Sequence, residues 1–211
     1  GKEKVDTVLD KLSGVSDRRE DAIDSVLAKE GGYQNNKKDT GNYEPTTGDL
    51  VGTNYGISAP VLSEYLGRPA TEIDMKNISM DDVRKIYKEN YYDRFNIEEL
   101  PKELEEIVMH SVVLRPGGGI NILQEFLKQS GAKNTSGKNK GDPLDIDGKM
   151  GSNTKEAMKD AKFTKKQFAN RYLSYLQSHN TTEDWNEFGK GWTNRFKDLS
   201  KWGKNKWRQL H

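Results

Sequence analysis

The chain has 211 residues, in which 34 basic and 33 acidic side chains nearly cancel to a net charge of +1. That balance excludes a global field able to recruit nucleic acid or an anionic membrane. The good supply of Trp, Tyr and Phe among 32% apolar residues points to a folded body and not to a disordered one. Cysteine is absent, which excludes disulfides and thiolate metal sites, and no run approaches the roughly 18 apolar residues needed to cross a bilayer.

The N-terminal Gly1-Lys2-Glu3-Lys4 lacks both an initiator Met and the apolar core of a signal peptide, as a fusion scar or a piece excised from a longer chain would. Val5, Val8, Leu9 and Leu12 then predict a short helix ended by Ser13-Gly14. Ser16 is placed to cap a second helix, whose apolar ladder of Ile23, Val26 and Leu27 runs into Glu30 before Gly31-Gly32 stops it. From Gly31 to Ser58 the chain is rich in Gly, Asn, Thr and Asp, which predicts a long loop with a small β-hairpin forming one wall of a cleft.

Ser79-x-x-Asp82 predicts a capped helix carrying Val83, Ile86, Tyr87 and Tyr91, and Pro101 is expected at the first position of the next. Arg115-Pro116-Gly117-Gly118-Gly119 reads as a sharp break before Ile120, Leu123, Phe126 and Leu127 resume the helical period. A polar stretch from 131 to 151 precedes three further helices, with Thr164-x-x-Gln167 as a capping box and Trp185, Phe188, Trp192, Phe196 and Leu199 as a core-like stripe. The basic run from Lys197 to Arg208 reads as a solvated face ending in a tail.

Cleaving a glycosidic bond requires a protonated carboxyl beside the leaving oxygen and, usually, a second carboxylate that activates water or attacks the sugar. A carboxyl near an apolar helix end tends to keep its proton, whereas one on a wet loop stays ionised. Glu30 and Asp39 can supply such a pair, although a spacing of nine residues between two acids carries little weight in a chain with 33 of them.

Beyond spacing, the run Glu30-Gly31-Gly32-Tyr33-x-Asn35, then Asp39, then Thr53-Asn54-Tyr55-Gly56-Ile57-Ser58, resembles the signature of the glycoside hydrolase family 108 lysozymes, the phage-type N-acetylmuramidases. The resemblance continues in Ile86-Tyr87, Tyr91-Tyr92-Asp93, Leu100-Pro101 and Leu123-Gln124. Further on, Asp147-Gly148-Lys149-Met150-Gly151 with Thr154 resembles the predicted peptidoglycan-binding segment of such proteins, and Gly191-Trp192-Thr193-Asn194-Arg195 extends the likeness to about residue 200.

The resemblance implies a mainly α, lysozyme-like α+β fold, in which 1–14 is a helix or linker, 15–130 the catalytic part, 131–203 a peptidoglycan-binding-like helical segment packed on it, and 204–211 a tail. It implies cleavage of the β-1,4 bond between N-acetylmuramic acid and N-acetylglucosamine, with Glu30 as general acid. By similarity to T4-type phage lysozymes, Asp39 and Thr53 would hold the attacking water. Tyr33, Asn54, Tyr55, Tyr91 and Gln124 are the implied substrate contacts. The implied partner is bacterial peptidoglycan, met by a monomer or by part of a larger virion protein, with no cofactor, no metal, no nucleic acid and no membrane insertion. A bacteriophage endolysin made in the host cytoplasm and acting on the cell wall, or a lysozyme carried in a virion, fits these expectations.

His110 and Leu114 stand where the family commonly has Asp and Asn, which alters a region that the resemblance places at the substrate site, and the stretch from Thr40 to Gly52 is longer than usual, giving Tyr43 or Glu44 scope for an added contact. His110 reads first as a helix histidine, while His179 and His211 lie apart on polar stretches. An EF-hand reading of Asp145-x-Asp147-Gly148 fails because Pro143 and Thr154 occupy its first and twelfth positions. Two other functions remain open: a lytic transglycosylase in which Glu30 acts alone, and a non-catalytic cell-wall-binding or virion module.

Overall fold

The computed structural model describes the backbone of residues 2–201 and the side chains of residue 14 and of 16–201. Its elements in chain order are α1 (Lys2–Leu27), α2 (Ala59–Leu66), α3 (Glu72–Lys76), α4 (Met80–Tyr87), α5 (Glu105–Leu114), α6 (Pro116–Gln129), α7 (Ser152–Met158), α8 (Lys165–His179) and α9 (Thr182–Lys201). The mainly helical expectation holds for the described residues. The chain divides into two compact units, residues 23–90 and residues 1–22 with 91–211.

Where two helices were expected before Glu30 there is one, because α1 passes straight through Ser13-Gly14. A glycine inside a helix costs only about 1 kcal/mol relative to Ala and does not have to end it. The helix stops at Leu27, and its last N–H groups tighten: Lys29 and Glu30 donate to the carbonyls three residues back, Val26 and Leu27, at 2.9 and 3.2 Å. Glu30 thus sits on the turn that leaves the helix, one step before the two glycines.

In the unit 23–90, Ile23, Val26, Val51, Ile57, Leu62, Met75, Val83, Ile86 and Tyr87 are buried. Its short helices are held at their ends by side chains. Pro60 stands in the first turn of α2 and Gly67 closes it in the left-handed region at φ 66°. Thr71 and Asp74 form a reciprocal capping box on α3, and the Ser79 hydroxyl accepts from the Asp82 N–H at 3.1 Å on α4. The chain beyond α4 tightens into a π-helical turn, Lys88–Asp93, which carries Tyr91.

The β-hairpin expected between Gly31 and Ser58 is replaced by isolated antiparallel bridges, Gln34 with Thr53, Tyr43 with Leu50 and Asn54 with Ile57. Positive φ at Gly48, Gly52, Tyr55 and Gly56 prevents any two strands from running on, since extended pairing needs negative φ throughout. A 3-10 turn, Thr40–Asn42, with Asp39 as its N-cap, interrupts the loop further.

In the other unit α8 packs along α9, α5 packs on α6, and α8 also meets α6. The segment after residue 131 is therefore packed on helices before it. Ile107, Val108, Val112, Ile120, Leu123, Phe168, Tyr172, Leu176 and Phe196 fill the interior. The helix expected to open at Pro101 begins at Glu105, after a turn. The glycine run that looked like a break lies inside α6, whose start is Pro116. Sterics explain two of its three glycines: a β-carbon on Gly118 would stand 2.3 Å from the Tyr175 ring, and one on Gly119 would stand 2.6 Å from the Ser111 hydroxyl.

The stripe on α9 divides: Phe196 and Leu199 are buried, while Phe188 is 47% exposed beside Trp192. Residues 202–211, including most of the basic run, the expected tail and His211, lie outside the described residues.

Candidate active site

Glu30 is half-buried, and its carboxyl lies against Gly56. A methyl group added at Gly56 would stand 2.8 Å from Glu30 Oε2 and 2.6 Å from the Tyr87 hydroxyl, so acid and phenol converge on one bare α-carbon. Gly56 also needs φ +73°, which L side chains adopt at a cost. Tyr87 donates its hydroxyl to the Tyr55 carbonyl at 2.8 Å, pinning the turn in which Tyr55 holds φ 50°. A non-glycine residue at positive φ is uncommon and tends to mark a functional constraint.

Asp39 sits on the exposed side of the loop with both carboxylate oxygens engaged. Oδ1 accepts from the Gly41 N–H at 2.9 Å and Oδ2 from Gln34 Nε2 at 3.1 Å. Gln34 and Asn42 pair amide to amide, at 3.1 and 2.9 Å, and Asn42 Oδ1 also receives the Thr53 hydroxyl at 2.7 Å. Asp39 and Thr53, 14 positions apart, are therefore joined through two amides. Backbone bonds between Gln34 and Thr53, at 2.9 and 2.8 Å, lock the same strip. Gly52 makes this approach possible, because a β-carbon there would lie 2.7 Å from the Gln34 carbonyl oxygen and from the Tyr33 ring.

One segment touches Glu30 and approaches Asp39 through its neighbours. Gly56 borders Glu30, Thr53 reaches Asp39 through the amides, and Ser58 borders the Asp39 turn at Gly41, where an added β-carbon would lie 3.7 Å from Ser58 Cβ and 3.2 Å from Asp39 Oδ1.

The remaining sequence candidates have varied surroundings. The Tyr33 hydroxyl donates to Glu72 at 2.9 Å and lies 3.2 Å from the Val51 carbonyl, with the Lys76 ammonium 5.0 Å from its ring centroid. Burial, followed by the Glu72 carboxylate, pushes the Tyr33 hydroxyl above its ordinary range. Lys76 and then Tyr33 hold Glu72 below its own. Tyr55 and Tyr91 are half-buried. Asn54 is buried and donates its amide to the Met75 carbonyl at 3.0 Å. Gln124 is buried in the other unit, where its Nε2 lies 2.9 Å from Asp147, 2.9 Å from Thr154 and 3.0 Å from the Lys149 carbonyl. Both amides are thus occupied in holding the chain to itself.

Glu44, raised as an added contact on the long loop, turns inward. Burial alone would raise its carboxyl, but the N–H groups of Thr47 and Thr46, at 2.6 and 2.7 Å, overcome that and hold it below the usual range. Tyr43 closes the loop by donating to the Lys37 carbonyl at 3.1 Å. His110 is fully buried on α5, and its Nδ1 accepts from Arg195 Nε at 2.8 Å, which makes Nδ1 the unprotonated nitrogen. Asp147 accepts from Gln124 and from the Lys149 N–H, closing a turn. Leu114 is half-buried at the last position of α5.

Sequence reasoning missed Gln34, Asn42, Tyr87 as a partner of the site, and the steric role of Gly56. Gln34 is the unassigned position in the Glu30 to Asn35 run, and Asn42 lies three residues after Asp39. Only the fold, which returns Thr53 to Gln34, reveals what they do.

The family model described as glycosyl hydrolase 108 matches residues 23–115. Among solved structures, SagA of Brucella abortus is similar with a TM-score of 0.63 and 24% identity, the match covering 86% of this chain and 91% of that one. That likeness speaks for the fold alone. No curated protein matches the sequence. The family match ends at Arg115 and does not reach the segment expected to resemble a peptidoglycan-binding unit. Residues 23–115, which contain Glu30, Asp39 and Thr53, are thus the part of the chain that is similar to the glycosyl hydrolase 108 family.

Proposed function

We propose that the protein hydrolyses the glycan strands of bacterial peptidoglycan at the β-1,4 bond between N-acetylmuramic acid and N-acetylglucosamine. The observation that carries this reading is the single segment 53–58 that borders Glu30 at Gly56 and the Asp39 turn at Ser58. The family match over residues 23–115 supports the reaction class.

Glu30, placed where it cannot swing freely, donates its proton to the glycosidic oxygen as the bond to the anomeric carbon breaks. Asp39 and Thr53 hold a water on the opposite face, and Asp39 takes the proton that the water loses on attack. Direct attack by water inverts the anomeric centre. A new reducing end appears with every bond cut.

Glu30→Gln is expected to abolish release of reducing sugar from purified peptidoglycan while leaving the far-ultraviolet circular dichroism unchanged. A fully active variant sinks the assignment. Mass spectrometry of the products sharpens it, since hydrolysis adds the mass of one water at each cut, whereas anhydro-muropeptides would establish a transglycosylase in which Glu30 acts alone.

A further inference from the structure

We propose that Gln34 and Asn42 are positioning residues that fix the hydrogen-bond polarity of Asp39 and Thr53, so that both can only accept hydrogen bonds from the attacking water. The inference rests on the reading of Asp39 and Thr53 as the pair that directs water.

The polarity is dictated by backbone groups that have one role each. The Asn36 carbonyl can only accept, and it receives Asn42 Nδ2 at 2.9 Å. This orients the Asn42 amide, so Oδ1 faces Gln34 Nε2 and the Thr53 hydroxyl. The Asn36 N–H can only donate, and it meets Gln34 Oε1 at 2.8 Å, which orients the second amide and turns its Nε2 to Asp39. Flipping either amide would set oxygen against oxygen at several contacts. Asn42 is fully buried, where such a mismatch is costly.

A hydroxyl has one proton to donate and lone pairs to accept with. The Thr53 proton is committed to Asn42 Oδ1 at 2.7 Å, so toward any other partner Thr53 acts as an acceptor. An ionised Asp39 is an acceptor too. A water between them donates one hydrogen to each and keeps its oxygen lone pair for the anomeric carbon. Were the relay reversed, Thr53 would donate to the water, taking up one of its two lone pairs and leaving one of its hydrogens without an acceptor there.

The test uses the full chain, a soluble glycan-strand oligomer as substrate, and Gln34 variants made with Asp39 intact and with Asp39→Asn. Gln34→Leu removes the donor to Asp39 and is expected to lower kcat by about 10- to 100-fold, the scale of a misplaced reacting group, with KM little changed. Placed on Asp39→Asn, the same substitution should add little further loss. Gln34→Glu, nearly isosteric, sets a second carboxyl against Asp39, and the acidic limb of the kcat–pH profile should move upward because a neighbouring negative charge disfavours ionisation.

An unchanged kcat in Gln34→Leu overturns the relay, as do equal losses in both backgrounds, which would mark an independent structural role. If Gln34→Leu does not fold, the pH profile of Gln34→Glu decides, and an unshifted limb is the adverse result. Full activity in Asp39→Asn itself overturns the underlying reading and the relay with it, whereas loss there combined with an unaffected Gln34→Leu overturns the relay alone.

Discussion

The unit 23–90 and the helical unit of residues 1–22 and 91–211 are built on different physics. The second is held by rings and aliphatic chains: Phe168 lies within 6.3 Å, centroid to centroid, of Phe126, Phe163 and Tyr172, and Tyr172 packs against Phe196 at 4.8 Å. The first spends a long loop on side-chain hydrogen bonds, left-handed glycines and close backbone approaches. Apolar packing is non-directional and tolerates adjustment, while a hydrogen-bonded loop holds its groups at set distances and angles. Chemistry that needs a proton donor and a water in register belongs in the hydrogen-bonded construction.

The largest effect that would sharpen this contrast is a cavity in the helical unit. Phe168→Ala should lower unfolding stability by about 3–5 kcal/mol, as for large buried aromatics, read from urea denaturation of the whole chain. A loss below about 1 kcal/mol would mean that this cluster is not the core it resembles.

Gly56→Ala tests the other construction. Its β-carbon would meet the Tyr87 hydroxyl and the Glu30 carboxylate, with positive φ adding strain. Activity on peptidoglycan should fall about 100-fold through displacement of the acid, with a stability cost that is small beside that of Phe168→Ala. Retention of full rate would detach Gly56 from the chemistry.

Acid should strike the loop-built unit through carboxylates held below their ordinary range. Glu44 is kept there by the Thr47 and Thr46 N–H groups against burial, Asp74 by Arg68 and then Thr71, and Asp82 by Ser79 and then Tyr65. A depressed folded-state value means that stability is fully present above the unfolded value, about pH 4, and is lost as pH falls through the folded one. In Glu44→Gln the melting temperature at neutral pH should drop, and its decline below about pH 4 should be shallower than in the unaltered chain. Parallel curves would deny Glu44 this role.

The smallest expected effect serves as a control. Ile73 on α3 is 72% exposed, and Ile73→Ser should change stability by no more than about 0.5 kcal/mol. A larger change in calorimetry would expose packing that its solvent exposure hides.

Much of the helical scaffold was legible because its signals are local. Ser79, Thr164 with Gln167, and the apolar ladders of α4 and α6 work over three or four residues, a range that a sequence displays directly. The misreadings share one cause, a local signal overruled by packing. Ser13-Gly14 did not end α1, and Gly118 and Gly119 serve close approach to Tyr175 and Ser111 inside α6. The expected hairpin failed because positive φ at Gly48, Gly52, Tyr55 and Gly56 interrupts extended pairing in the loop.

By itself the sequence determined a helical protein and pointed to Glu30, Asp39 and Thr53, since helix periodicity and a family motif are both properties of residue order. Only the tertiary structure decided what surrounds them: the bare α-carbon of Gly56 against Glu30 and Tyr87, and the two amides joining Asp39 to Thr53. Those contacts depend on a loop returning on itself across some 20 residues, and hydrogen-bond polarity is set by which groups meet, not by where they stand in the chain.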